Sequence, residues 1–313
     1  MDIVFMGTPE FAVPTLRSLA EAGYNISAVI TQPDRPRGRG KKVQPSPVKE
    51  AALELGIPVL QPDRVRDESF ISFLKGLKPD LIVVVAFGRI LPAGVLQIPP
   101  LGCVNVHSSL LPKYRGAAPM QRAIMNGETE TGVTTMMMDT GMDTGDILLR
   151  SRMPIDGDDN FGTVHDRLSH LGASLLLETV ELLAAGKLAG VPQDHSQATY
   201  APPITREDEV INWNRRAEDI KNQVRALDPW PGARTTLGDR VLKVWKTGEY
   251  GQAGAAGDDA APGQVLGSVK GGLAVMCGDR PVLIRELQAQ GGKRMGAADF
   301  LRGCRVDPGL ILG

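Results

Sequence analysis

Residues 1–189 read as a doubly wound α/β domain on a mainly parallel sheet. Residues 206–313 read as a smaller β-barrel domain, with a linker over 190–205 between them. Three observations carry this reading. Short apolar runs alternate with amphipathic segments through the first half, as strand–helix–strand units require. The run Leu81 to Ala86 is wholly apolar and rich in valine, like a parallel strand covered on both faces. Beyond Ala233 the pattern becomes short β-like runs broken by glycine turns, which suits a small closed or partly open barrel.

In chain order, Asp2 to Met6 is an apolar strand, Gly7-Thr8-Pro9 a turn and Phe11 to Ala22 a helix. Strand Tyr24 to Thr31, helix Val48 to Leu55, strand Ile57 to Leu60, helix Glu68 to Leu77 and the central strand Leu81 to Ala86 follow. A strand then ends in Asn105 and His107. It leads through a proline-closed loop, a short helix and a further strand to a glycine-rich turn around Asp143. Phe161 to Ala185 carries leucines at 168, 171, 175, 176, 182 and 183, an amphipathic helix that packs on the sheet. His165 and His170 lie on different faces of it and read as structural or surface residues. Val191 to Thr205, which holds His195, is polar and proline-punctuated, as a linker is.

A helix over Ala217 to Leu227 precedes strands at Ala233 to Leu237, Val241 to Trp245, Gln264 to Val269, Leu273 to Cys277 and Pro281 to Leu287. That order suits a barrel of the oligonucleotide-binding type. Gly248 to Pro262, rich in Gly, Ala and Asp, reads as an exposed loop.

The 313 residues are 42% hydrophobic and 23% charged, enough for two domains and a sizeable core. A formal net charge of −1 attracts no nucleic acid by itself, so any RNA contact has to come from a local basic cluster. Cys103, Cys277 and Cys304 form no CxxC pair and fit a reducing, cytoplasmic setting. Four histidines without HExxH spacing give no zinc site, so no metal is expected. Gly7 stands without a GxGxxG series, so no dinucleotide is expected either. The start MDIVFMGTPEF meets glycine and proline too early for a secretory signal. The strongest apolar run, Leu81 to Phe87, is far shorter than the roughly 20 residues of a membrane-spanning helix. No membrane partner is expected.

The chemistry concentrates between Leu101 and Asp146. Asn105 and His107 are two apart on a strand, so both side chains point to one face. Asp143 lies between Gly141 and Gly145 in a turn that needs glycine's freedom. An amide, an imidazole and a carboxylate without a nucleophilic Ser or Cys suit acyl transfer to an amine, where the tetrahedral oxyanion needs donors fixed in advance. A carboxylate beside His107 orients the ring and favours its charged form. Hydrogen-bonded scaffolding is the alternative reading of an Asn-x-His pair alone.

With Ser109-Leu110-Leu111-Pro112 and Asp143-Thr144-Gly145-Asp146, this stretch resembles the folate-dependent formyltransferases. The resemblance implies that Asn105, His107 and Asp143 are the catalytic set. It also implies that Ser109, Leu110, Leu111 and Pro112 line the site of the donor, 10-formyltetrahydrofolate. Phe87, Gly88, Arg89 and Ile90 leave the preceding strand on the same sheet edge, where the loop can wall a pocket for the flat pteridine; the family contacts its folate there. Phe87 as plain core is the alternative.

Arg35, Arg37, Arg39, Lys41 and Lys42 stand among Pro36, Gly38 and Gly40, five cations in eight residues. Such a loop suits phosphate contacts, or is simply solvated. From Asp34 to Lys49 it resembles the DRPxGRGxK and SPVK pattern of the formyltransferases that act on methionyl initiator tRNA, which implies contact with the acceptor arm. Arg225 to Ala233, RALDPWPGA, extends the resemblance into the second half. There Arg206, Arg215, Arg216, Lys221, Lys243, Lys246, Lys270, Lys293 and Arg294 are candidate RNA contacts or solvating surface. The implied activity is formylation of the α-amino group of methionine on initiator tRNA by a monomer, without an acyl-enzyme. Formylation of a smaller amine, and folate or RNA binding without turnover, are the rivals.

Overall fold

A computed structural model describes residues 1–37, 42–251 and 260–313. Arg39 and Lys41 of the basic loop lie outside the described residues, as do the side chains of Arg37 and Lys42 and most of the Gly/Ala/Asp-rich stretch. The chain divides into two compact units. Met1–Pro119, Glu130–Pro154 and His165–Ala201 make the first; Met120–Thr129, Ile155–Val164 and Pro202–Gly313 make the second.

The elements through the first half are β1 (Asp2–Gly7), α1 (Val13–Glu21), β2 (Asn25–Ile30), β3 (Arg35–Arg37), β4 (Lys42–Gln44), α2 (Pro47–Glu54), β5 (Val59–Leu60), α3 (Glu68–Leu77), β6 (Leu81–Val85) and α4 (Ala93–Leu96). They continue with β7 (Cys103–His107), β8 (Arg115–Gly116), α5 (Pro119–Met125), β9 (Glu130–Met137), β10 (Ile147–Pro154), α6 (Phe161–Ala184) and β11 (Tyr200–Ala201).

Seven strands form one sheet in the order β10-β9-β7-β6-β1-β2-β5. β7, β6, β1, β2 and β5 are parallel, whereas β9 and β10 run antiparallel at one edge. The expected mainly parallel, doubly wound sheet is borne out. Val4, Met6, Ala28, Ile30, Ile82 and Val84 pack from one face against Phe70 and Leu74 of α3 and Val95 of α4. Ile3, Phe5, Leu81 and Val83, which alternate with them, are equally buried, so both faces are covered. Each such side chain contributes roughly 1.5–3 kcal/mol by leaving water. Ser46 caps α2 by accepting from the Lys49 backbone N–H at 3.1 Å, and Pro47 at the first position needs no partner there.

In the second unit α7 (Arg206–Glu209) and α8 (Ala217–Ala226) precede β12 (Ala233–Leu237), β13 (Arg240–Glu249), β14 (Val265–Val269), β15 (Gly272–Met276), β16 (Pro281–Ala289), β17 (Met295–Gly296) and α9 (Ala297–Gly303). The antiparallel order is β12-β13-β16-β15-β14. Leu312 bridges to Leu237 and Ile311 to Gln264, so the chain's last residues cover the edges at both ends of the sheet. Ile220 and Val224 of α8 fill its interior with Val244, Val265, Leu273, Val275 and Ile284. Asp228 of the DPWPGA stretch is buried. Its carboxylate accepts from Arg294 Nη1 at 2.6 Å and Asn160 Nδ2 at 2.8 Å, and its carbonyl accepts from the Gly162 N–H at 3.2 Å.

Burial pushes the Cys103 and Cys277 thiols up to about 12, while Cys304 is partly exposed. At pH 8 a water-soluble disulfide reagent should therefore modify Cys304 alone in the native protein and all three thiols after denaturation. Peptide mapping checks this; rapid native labelling of Cys103 or Cys277 would contradict the packing. Among the described residues no helix is long and apolar enough to cross a membrane, and no group of His, Cys, Asp and Glu side chains forms a metal site.

Candidate active site

Because β7, β6, β1 and β2 are parallel, the loops after them leave on one sheet edge. Asn105 and His107 project from the end of β7 onto one face of the strand. His107 is buried, and its Nε2 lies 3.0 Å from the Tyr114 carbonyl. A carbonyl only accepts, so Nε2 carries the hydrogen and Nδ1 is the nitrogen left to face a partner. Asp143 Oδ1 lies 3.7 Å from that Nδ1, longer than a hydrogen bond and an ion pair only when the imidazole is protonated. Asn105 is half-buried, and among the described residues its carboxamide has no hydrogen-bond partner.

The turn that delivers Asp143 is built tightly. Asp139 accepts from the Gly141 N–H at 3.0 Å and from the Thr144 hydroxyl at 2.7 Å. A Cβ on Gly145 would sit 1.9 Å from the Met137 carbonyl oxygen, so only glycine fits. Asp143 itself has φ +53, the left-handed region a non-glycine residue seldom adopts. Its Oδ2 accepts from the Gly116 N–H at 2.8 Å.

The residues expected at the donor site divide into two groups. Ser109 and Leu111 are buried: the Ser109 hydroxyl donates to the Lys113 carbonyl at 2.7 Å, and Leu111 packs with Met136 and Ile147. Leu110 and Pro112 are half-buried. The Phe87 side chain belongs to the core, and its carbonyl accepts from Gln32 Nε2 at 2.8 Å. Gly88 has φ +76, Arg89 donates to the Pro62 and Asp63 carbonyls, and Ile90 is 65% exposed.

At the foot of the basic loop, β3 and β4 pair from Arg35 with Gln44 to Arg37 with Lys42. Lys49 Nζ donates to Asp34 Oδ2 at 2.7 Å and to Gln61 Oε1 at 2.8 Å. Gln61 Nε2 donates to Asp34 Oδ1 at 2.7 Å and to the Gln32 carbonyl at 2.8 Å. The hydrogen bond from Lys49, then that from Gln61, holds the Asp34 carboxyl below the usual carboxylate range.

Several C-terminal cations are engaged within their own unit. Arg294 pairs with Asp228 and Glu286, Lys243 donates to the Pro231 carbonyl and lies over the Trp245 ring, Arg215 faces Asp219 and Lys221 faces Glu218. Lys221, Lys246 and Arg294 nonetheless share the lining of one cavity of about 140 Å³ with Arg225 and Trp245.

Reasoning from sequence missed Arg115, Gln193 and the backbone groups of Tyr114 and Gly116. Arg115 offered one signal, a charge set between Tyr114 and the run Gly116-Ala117-Ala118. Gln193 offered none, since it lies in the stretch read as a linker.

The sequence pattern of the formyl transferase family matches residues 1–180, and that of the formyl transferase C-terminal domain matches residues 203–305. The chain is 52% identical over 313 residues to the methionyl-tRNA formyltransferase of Pelotomaculum thermopropionicum, covering all of this chain and 99% of that one. It is 54% identical over 312 residues to that of Pelobacter propionicus, covering all of this chain and 96% of the relative. WlaRD, a sugar 3N-formyl transferase solved in the presence of dTDP and 5-N-formyl-THF, shares the fold with a TM-score of 0.66 at 19% identity, over 90% of this chain and 96% of that one. With both sequence patterns and the relatives matched over the whole chain in agreement, the chain belongs to the methionyl-tRNA formyltransferases of the formyl transferase family.

Proposed function

We infer that the chain transfers the formyl group of 10-formyltetrahydrofolate to the α-amino group of methionine on initiator tRNA, giving N-formylmethionyl-tRNA. The observation that carries the site assignment is the approach of His107 Nδ1 to Asp143 Oδ1 at 3.7 Å beside an unengaged Asn105 carboxamide. The α-amine, with an unperturbed pKa of about 8, is partly neutral at physiological pH and attacks the formyl carbon directly. The carbonyl electrons move to oxygen, where Asn105 Nδ2–H and, in the protonated ring, His107 Nδ1–H receive the charge. Collapse breaks the bond to N10, which takes a proton while the amine loses one. Asp143 orients His107 and helps move that proton.

Leu110, Pro112, Gly88 and Ile90 wall the donor pocket in this reading. Ser109, Leu111, Phe87 and Arg89 support them from behind through core packing and hydrogen bonds to backbone carbonyls. Arg35, Arg37, Arg39, Lys41 and Lys42 meet the acceptor arm. Residues 1–189 carry the chemistry, 206–313 hold the tRNA and 190–205 join them, with Gln193 to Ala201 grouped in the first unit, in a cytoplasmic monomer.

Formylation of methionyl initiator and methionyl elongator tRNA is the test, with 10-formyltetrahydrofolate as donor and mass spectrometry of the released aminoacyl nucleoside as readout. Transfer to the initiator alone is expected. Transfer to neither would overturn the substrate assignment, and sedimentation at assay concentration checks the monomer.

A further inference from the structure

Arg115 is 2% exposed, yet among the described residues its guanidinium meets no carboxylate. A buried cation without a counter-charge persists only where its donors are well satisfied. Nε and Nη2 both donate to Gln193 Oε1, at 3.2 and 2.7 Å, and Nη2 also donates to His195 Nδ1 at 3.1 Å. The other end of the same carboxamide faces the catalytic turn: Gln193 Nε2 donates to the Asp143 carbonyl at 2.9 Å and to the Gly145 carbonyl at 2.7 Å.

Gln193 thus joins a cation on one side to the backbone on both sides of Thr144. A guanidinium on Oε1 polarises the amide and strengthens the two bonds that Nε2 donates. Those bonds fall on the turn that holds a non-glycine residue at φ +53. The next residue along from Arg115 completes the grip, since the Gly116 N–H donates to Asp143 Oδ2. Arg115 and Gly116 are themselves fixed by parallel pairing with Tyr200 and Ala201, and the Arg115 N–H donates to the Thr199 carbonyl at 2.9 Å. The stretch after α6 is therefore part of the apparatus around Asp143.

We propose that Arg115 and Gln193 are positioning residues, a relay that sets the Asp143 carboxylate opposite His107 Nδ1 without touching either substrate. This rests on the reading of Asp143 as a participant in formyl transfer. The informative variant is Gln193→Glu. It keeps an oxygen for Arg115 and gives the buried guanidinium a counter-charge, but it replaces the Nε2 donor with an acceptor facing two carbonyls.

The experiment is a double-mutant cycle of Gln193→Glu and Asp143→Asn, followed by single-turnover formylation of methionyl initiator tRNA, KM for both substrates, thermal melting and hydrogen exchange over residues 139–146. Gln193→Glu should lower kcat about 10- to 100-fold, the scale of a small misplacement of a reacting group. KM for tRNA and folate should stay within about twofold, and exchange in the turn should quicken. In the Asp143→Asn background it should cost nothing further, because residues that act as one unit are not additive.

An unchanged kcat in Gln193→Glu, beside a large loss in Asp143→Asn, overturns the relay alone. Equal losses in both backgrounds also overturn it, since Gln193 would then act on something other than Asp143. A wild-type kcat in Asp143→Asn refutes the underlying reading and the relay with it. Should Gln193→Glu melt early, turn-selective exchange in the conservative Arg115→Lys variant decides: faster exchange in 139–146 with β7 unchanged supports the relay, and uniform loosening overturns it.

Discussion

Asn105→Ala should lower kcat for formyl transfer by about 10²–10³, the loss that follows removal of one oxyanion donor, equivalent to roughly 2.7–4 kcal/mol of transition-state stabilisation. The side chain is half-buried at the end of β7 and, among the described residues, hydrogen-bonds to nothing. Its removal therefore leaves no buried polar group stranded, and stability should move by no more than about 0.5 kcal/mol, the usual range for a change without a structural partner. KM for both substrates should hardly change, because the bond forms only as charge develops on the formyl oxygen. Asn105→Asp sharpens the test. It preserves shape but sets an anion beside the developing oxyanion, so it should be at least as damaging as alanine. Single-turnover rates with matched melting curves check both variants, and a near-normal kcat in folded Asn105→Ala would remove Asn105 from the mechanism.

Local periodicity located the elements because it is set by local physics. Glu68–Leu77 and Ala233–Leu237 fall where the spacing of apolar residues puts them, and the strand carrying Asn105 and His107 ends where its apolar run ends. What local pattern cannot show is which long-range partner takes up a polar atom. The pattern around Ser109 does not show that its hydroxyl donates to the carbonyl of Lys113. Phe87 satisfied two descriptions equally, and packing with Leu91 and Val95 selects the core. Gln193 carries no periodic, charge or motif signal. Its importance arises only when residues 50 and 78 positions away fold against it.

The same limit applies to the second unit, where the chain order does not reveal that residues 155–164 group with the C-terminal half. The link includes single hydrogen bonds to Asp228, from the Asn160 carboxamide and the Gly162 N–H, and from Arg225 to the Asp156 and Asp159 carbonyls. That gives the DPWPGA stretch a physical role: its first residue is a buried carboxylate that gathers Arg294, Asn160 and the first turn of α6.

Replacing Arg35, Arg37, Arg39, Lys41 and Lys42 together with alanine should raise KM for initiator tRNA by about 10²-fold or more. KM for 10-formyltetrahydrofolate should stay unchanged. The attraction of a polyanion to these cations is carried by counterion release, so the dependence of log KM on log salt should flatten by roughly 0.7–0.9 for each phosphate that the variant leaves unneutralised. The loop's foot would survive the change, because Asp34, Lys49, Gln61 and Gln32 hold it by bonds that none of the five residues makes. Its pH range also suits the assay. The Asp34 carboxyl is held below its ordinary value, so its contribution is present above the unfolded carboxylate pKa and is lost only as pH falls through the lower folded value. At neutral pH, any defect in the variant therefore reports the missing cations and not a collapsed foot. An unaltered KM for tRNA with an unaltered salt slope would return this loop to the status of solvated surface and move the search for the acceptor-arm contact to the C-terminal unit.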